Sequence, residues 1–329
     1  MHAVLPKRRG GEARAVGLAG PLIVIVIAIV VIPSIASGAT MFLMEQVLIQ
    51  ILFATSTNFL FGRSHMPSFG QAAFFGTGAY TVALWYSYIP VAALLVLAMA
   101  FSAVCSAVIA AVSIRTRGII FANVTLALGQ GMYLLAVKTS WVGGENGLPG
   151  ISAGSLSMHG IWYLTGGVVV AAIAVCWVIY HSPFGITLQA LREDPIRLEF
   201  LGVRVARYRL AAFTLAGAGA GLAGGLFAYT SGIVTPGTMY WTQSGYPILM
   251  ILVGGMGFFW GPVVGAVFVT LLLNELSGHP GWDLIILGLV LIGVLLFAPR
   301  GLLGLVKSGW QRFAGSAERR DPVPEGIAP

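Results

Sequence analysis

The stretch ALREDPIRLEFLGVRVARYR, Ala190 to Arg209, holds eight of the charged side chains in a 329-residue sequence with only 18 basic and 11 acidic residues. Its surroundings are the reverse: 57% of the chain is hydrophobic and 9% charged, against about a quarter charged in a soluble domain. Mean hydropathy is +0.90. Apolar runs of about 20 residues recur throughout, the length a helix needs to cross roughly 30 Å of hydrocarbon. The chain therefore reads as an all-α polytopic membrane protein, with the charged stretch as a loop outside the bilayer.

Hydropathy and helix breakers place spans near residues 18–37, 42–61, 70–89, 91–114, 118–137, 161–180, 210–230, 244–257, 259–276 and 283–298. For the first, a cleaved signal peptide is the alternative, because Lys7, Arg8, Arg9 and Arg14 precede a short apolar core and Ala36 to Ala39 reads Ala-Ser-Gly-Ala. With the N-terminus in the cytoplasm, 17 basic residues fall inside and only Lys138 outside. An even number of crossings, ten or eight, keeps the basic C-terminal tail inside. The uncertain region is 244–276, where GGMGFFWGP (Gly254 to Pro262) breaks any helix and leaves two halves that are short or re-entrant. No linker divides the chain. It is expected as a tail over 1–16, one membrane domain over 17–310 with a cytoplasmic loop near 181–209, and a second tail over 311–329.

The net charge of +7 is explained by orientation in a membrane, since the basic residues lie between spans and form no nucleic-acid-binding face. Cys105 and Cys176 sit in apolar runs without metal or redox spacing. Lipid gives apolar helices little reason to associate, so small residues that permit close approach matter. Gly217, Gly221 and Gly225 recur every four residues as one ridge, with Ala212, Ala216, Ala220 and Gly224 as another and Ser68, Ala72 and Gly76 as a shorter one.

The charged loop has internal punctuation. Asp194 followed by Pro195 is a helix start, the carboxylate capping free N–H groups and proline needing no donor. Gly202 is suited to the left-handed residue that ends a helix. The helix between them is too short to stand alone in water. It exposes Phe200 and Leu201 among Arg197 and Glu199, so it calls for something to dock against.

With that loop in place, a family resemblance becomes legible. LREDPIRLEFLGVRVARYRLAAFTLAGAGAGLAGGLFA resembles the cytoplasmic loop and following helix of the permeases of branched-chain amino acid ABC importers. SFGQAAFFGTGAY (Ser68 to Tyr80), RGIIFANVTLALGQ (Arg117 to Gln130), VGGENGLPGI (Val142 to Ile151), GGMGFFWGPVVGA (Gly254 to Ala266) and APRGLLGL (Ala298 to Leu305) are similar, in order, to LivM-type subunits of that family. The resemblance covers roughly residues 40 to 305. It implies a type II ABC importer-like permease of about ten transmembrane helices in the bacterial inner membrane, with both termini cytoplasmic. It also implies four kinds of partner: a second homologous permease forming a heterodimer, two cytoplasmic ATPase subunits, an extracytoplasmic solute-binding protein, and membrane lipid. The ATPase-coupling helix would be Asp194 to Gly202, flanked by Leu191, Arg192 and Glu193. The chain departs from the family pattern at GRSHMPSFGQ (Gly62 to Gln71), where a segment like GYTGQLSFGH is usual. That departure weakens any transfer of substrate, since related permeases import urea, short amides and aromatic acids.

The residues themselves favour an external energy source. Ion-coupled transporters place acids or histidines at membrane depth, whereas the acidic residues here avoid span centres, with Glu45 near an outer end. The phosphate-binding Gly-x4-Gly-Lys-Ser/Thr loop is absent, so no cofactor is expected on this chain and ATP would be hydrolysed by the partner subunits. An intramembrane enzyme finds no HExxH motif. An ion-coupled secondary transporter stays as the alternative class. Candidate residues for a path are Asn58, Ser68, Gln71, Asn123, Thr125 and Gln130. His65 is read as solvated, and His181 as a helix-end cap.

Overall fold

A computed structural model describes residues 10–116, 118–154, 156–276, 282–297 and 301–305. Arg117, the first nine residues, Ala298 to Arg300 and the expected tail 311–329 lie outside the described residues. The chain forms helices α1 (Gly10–Ile35), α2 (Gly38–Thr57), α3 (Gln71–Trp85), α4 (Val91–Ser113), α5 (Gly118–Lys138) and α6 (Met158–His181). After these come α7 (Pro183–Glu193), α8 (Pro195–Phe200), α9 (Val205–Ser231), α10 (Trp241–Gly254), α11 (Gly261–Leu276) and α12 (Trp282–Phe297). A two-residue ladder pairs β1 (Leu148–Pro149) antiparallel with β2 (Ile233–Val234), Leu148 opposite Val234.

Ten of these helices, all except α7 and α8, pass alternately between two ends of the bundle. The α7–α8 arm marks one end and the β1–β2 ladder the other. The direction of each pass follows from its contacts: Gly217, Gly221 and Gly225 of α9 meet Ser106, Ser102 and Leu95 of α4 in reverse order, so these two run antiparallel. Ten passes return the chain to the arm end, where Gly301 packs on Gly255. The protein is a multi-pass α-helical membrane protein. Among the described residues, five helical stretches are long and apolar enough to cross a membrane outright, two of them Gly38–Arg63 and Val205–Ser231.

Several boundaries differ from the expected spans. Residues 10–16, expected in the tail, are the first turns of α1, and α9 starts at Val205 instead of 210. A helix continues past the hydrocarbon edge, where charged residues lower the hydropathy without breaking hydrogen bonds. The helix α2 does not end cleanly near 61 but changes to a π-turn over Phe59–Arg63. The 244–276 region resolves into two full helices of 14 and 16 residues, α10 and α11, with the break at Gly255 to Trp260.

The core lies where α9 crosses α2, α3 and α4. Ala212, Phe213, Ala216 and Ala220 are completely buried. A Cβ on Gly224 would run into the Phe75 carbonyl of α3, and one on Gly78 into that of Gly221, so the α3 and α9 backbones touch and only glycine fits. On the neighbouring side Gly221 presses on Ser102 of α4, whose hydroxyl donates to the Phe74 carbonyl of α3 at 3.0 Å. The Phe74 and Phe121 rings each meet Phe213 edge-on. Trp162 of α6 is 1% exposed and donates its indole N–H to the Ile29 carbonyl of α1 at 2.8 Å, tying the first helix to the bundle.

Forcing a large side chain into a packed site costs about 1–3 kcal/mol. Gly221→Leu is therefore expected to lower the unfolding temperature of the detergent-solubilised protein by several degrees. Gly131→Leu, whose Cβ would meet nothing within 4 Å, is expected to leave it unchanged. Equal melting of both variants would contradict the close contact.

Candidate functional site

The helix α3 begins inside the bundle instead of at its surface, with Gln71 and Ala72 buried. The helices α3 and α10, of 15 and 14 residues, rise only about 21–23 Å at 1.5 Å per residue, so the irregular backbone over 65–70 and the short strand and 3-10 turn over 232–240 extend their passes. Such backbone persists at membrane depth only where protein or a water path satisfies it. Here the Ala72 N–H donates to Ser244 Oγ of α10 at 2.8 Å, Gly70 N–H to Ser68 Oγ at 3.3 Å, and Met239 packs on Gly76.

Most of the expected path residues gather around this meeting of broken helices. Gly70 lies against the Thr125 carbonyl of α5, and Ser68, Gln71 and Thr125 are each buried. Gln71 is fully buried, and neither its amide oxygen nor its amide nitrogen has a hydrogen-bond partner. Asn58 is buried lower, at the root of the π-turn, its Oδ1 also unpartnered. Gln130 is half-buried, next along α5 to Gly129, which packs on Gly70, with Oε1 unpartnered. Asn123 does not join them: it is exposed, because α5 turns that face away from the bundle. Ser244 is a member that sequence reasoning missed, as nothing in WTQSGYP signals that its hydroxyl meets α3.

Toward the ladder end, a cavity of about 610 Å³ opens above Met239, lined by Thr77, Tyr80, Phe101, Met132 and Trp141 among others. A larger apolar groove of about 1260 Å³ runs between α1, α2 and α6, edged by Trp177, Phe259 and Trp260. Glu45, in the second turn of α2, is near an outer end yet only 3% exposed, with Thr230 of α9 as a side-chain neighbour. Burial there is decided by the α2–α9 contact, which hydropathy does not report.

At the opposite end the charged stretch forms an arm of two helices. Ser182 caps α7, accepting from Gly185 N–H at 3.4 Å, with Pro183 at its first position. Gly185, Leu188 and Leu191 are its buried face, spaced three apart as one side of a helix requires, and Phe184 stacks on Tyr208. Asp194 has extended backbone, φ −154° and ψ 94°, so it breaks the helix there. Its N–H closes α7 on the Ala190 carbonyl at 3.0 Å, while its carboxylate accepts from Arg197 N–H at 3.0 Å and opens α8.

The far end of α8 is a glycine-terminated stop. Gly202 sits at φ 81°, its N–H donating to the Glu199 carbonyl and that of Val203 to Leu198, both at 3.0 Å. This pair of bonds defines the Schellman arrangement. None of the residues of α8 is buried. Phe200 is 89% exposed, Leu201 73% and Ile196 57%, an apolar tip flanked by the Arg197–Asp194 ion pair at 3.5 Å and by Glu199. Glu193 is exposed, and Arg192 turns back to the bundle, donating to the Gly62 carbonyl at 2.8 Å. His65 is exposed and His181 Nδ1 pairs with the Trp177 carbonyl at 2.9 Å, at the end of α6.

Comparison with known proteins places this architecture. Over 335 aligned residues the chain is 26% identical to the high-affinity branched-chain amino acid transport system permease protein LivM of Escherichia coli, covering 90% of this chain and 77% of that protein. The LivM of Salmonella typhimurium is 27% identical over 87% of this chain and 75% of its own. The autoinducer 2 import system permease protein LsrC of Salmonella paratyphi B is 32% identical, over 54% of this chain and 53% of its own. No solved structure matches the chain at a significant level. The family described as branched-chain amino acid transport system / permease component matches residues 39–295, and the chain belongs to that family.

Proposed function

We propose that this chain is the membrane-embedded permease subunit of an ATP-driven importer of branched-chain amino acids, and that α8 docks in a separate cytoplasmic ATPase. The observation that carries the reading is the arm. A six-residue helix capped at both ends has no buried residue of its own and presents Phe200 and Leu201 to the outside. Isolated helices shorter than about 12 residues are marginal in water, so both caps and the apolar tip suit a helix completed by a partner. The arm end is then cytoplasmic, which agrees with the concentration of basic residues there. A second homologous permease and an extracytoplasmic binding protein complete the assembly. Nucleotide is hydrolysed by the ATPase subunits and no cofactor resides on this chain.

Similarity to LivM extends over most of this chain, whereas similarity to LsrC covers about half. That difference favours branched-chain amino acids as the solute. The complete assembly in liposomes is expected to import radiolabelled leucine only with ATP and binding protein present. Import driven by an ion gradient without ATP would instead establish a secondary transporter. ATP-dependent import of autoinducer 2 with no import of leucine would move the substrate and keep the mechanism.

Phe200→Asp places a charge on the docking tip, and Gly202→Pro removes the N–H that donates to Glu199 and cannot adopt φ 81°. Each is expected to cut leucine imported per ATP hydrolysed by at least tenfold, with normal membrane insertion. A ratio equal to wild type in both would refute docking through α8. Cysteine placed at the exposed Glu193 is expected to react with membrane-impermeant maleimide only in inverted vesicles. Labelling from outside intact cells would reverse the orientation.

A further inference from the structure

Beyond the docking helix itself, the geometry points to Arg63 and Arg192 as positioning residues for coupling, forming a reciprocal clasp that carries movement of α8 into the end of α2. This rests on the reading of α8 above. It begins with an orphaned carbonyl. At the end of α2 the Asn58 carbonyl accepts from both Gly62 N–H and Arg63 N–H, each at 3.0 Å, which is the widened ring of a π-turn. In an α-helix the Gly62 carbonyl would take the N–H four residues on, but Met66 N–H donates to Leu60 at 2.9 Å instead. In a continued π-helix it would take the fifth, and residue 67 is proline, which has none. The Gly62 carbonyl therefore needs a donor from elsewhere, and Arg192 Nη1 supplies it at 2.8 Å.

The second half of the clasp runs the other way. Arg63 Nη1 donates to Gln189 Oε1 of α7 at 2.8 Å, and Nη2 to the Tyr180 carbonyl at 3.1 Å. Tyr180 is in the last turn of α6, where carbonyls lack partners within the helix. The guanidinium also lies over the Tyr180 ring, 3.8 Å from its centroid. Arg192 thus crosses from α7 to a backbone acceptor left over at the end of α2, and Arg63 from the end of α2 to one left over at the end of α6, with a second bond to the Gln189 side chain of α7. Arg192 is two residues before Asp194, the shared cap of α7 and α8, so it stands beside the joint from which α8 hangs. Beyond Gly62 the contact continues: a Cβ on that glycine would meet the Met256 carbonyl, in the turn between α10 and α11. The chain of contacts leads from the arm to the end of α2 and on to the turn between α10 and α11, and it is built by the GRSHMP segment that departs from the family pattern.

The test uses the whole importer in liposomes, reading leucine imported per ATP hydrolysed and copurification of the ATPase subunits. Arg192→Gln and Arg63→Gln are expected to keep the ATPase subunits bound while the ratio falls about fivefold. Arg192→Lys is expected to recover at least half of the wild-type ratio, since an ammonium can still serve one carbonyl. Arg63→Lys is not, because Arg63 uses two nitrogens and a flat face. Gln189→Leu, at an exposed position on α7, removes one acceptor without disturbing the core and decides the matter if the arginine variants fail to fold; a roughly threefold lower ratio is expected. A wild-type ratio in Gln189→Leu, failure of Arg192→Lys to exceed Arg192→Gln, or loss of the ATPase subunits in step with uptake each overturns the clasp. Phe200→Asp run in parallel separates the two ideas. A normal ratio there removes the role of α8 itself, whereas uncoupling there beside normal arginine variants removes the clasp alone.

Discussion

A helix that stops inside a bilayer leaves backbone donors and acceptors where no water can reach them, and that constraint organises this protein. The helix α3 starts within the bundle, and α2 ends in a π-turn against the arm. Each termination is answered by a specific side chain: Ser244 for Ala72, Ser68 for Gly70, Arg192 for Gly62. An unanswered polar backbone group in hydrocarbon costs several kcal/mol, so these residues are as much a condition of the fold as the apolar core. The close approach of α9 to α3 follows from the same need. Backbones can touch there because Gly78, Gly221 and Gly224 carry no side chains, and the contact shuts lipid out from the broken region.

The two ends of the molecule differ in what holds them. At the ladder end, β1 and β2 pair and the Gly150 and Ile151 N–H groups both donate to the Gly232 carbonyl at 3.0 Å, fastening the loop after α5 to the connection between α9 and α10. At the arm end, α7 is seated by three small or apolar residues and the arginine contacts, while α8 hangs on one capping aspartate and one glycine. An element with no buried side chain has little local stability of its own. It therefore suits the docking role proposed for it. The core behind it is packed too tightly to deform smoothly, so shifts of rigid helices are the expected form of any motion.

Membership of the permease family and the broken-helix centre also constrain how solute specificity can arise. The polar groups gathered near Gly70 are few and neutral, chiefly Ser68, Gln71, Thr125 and Ser244. None of them is charged, so under the function proposed above this set would offer a solute no ionic ligand.

How much of this was legible beforehand is clearest in particular residues. The membrane class, most of the helices and both ends of α8 could be read directly, because span length, an Asp-Pro start and a glycine stop are local properties of consecutive residues. Asp194 and Gly202 act through bonds to neighbours three to five positions away, so their chemistry is visible in one dimension. Gly221 could be expected on a packing ridge for the same reason, its spacing being set by helix periodicity. What only the tertiary structure decided were contacts between residues more than a hundred positions apart: Arg63 with Tyr180 and Gln189, Arg192 with Gly62, Ala72 with Ser244. It also turned Asn123 away and buried Glu45. Those outcomes depend on which helix faces press together and on where a backbone group is left without a partner, and neither is a property of any single stretch of sequence.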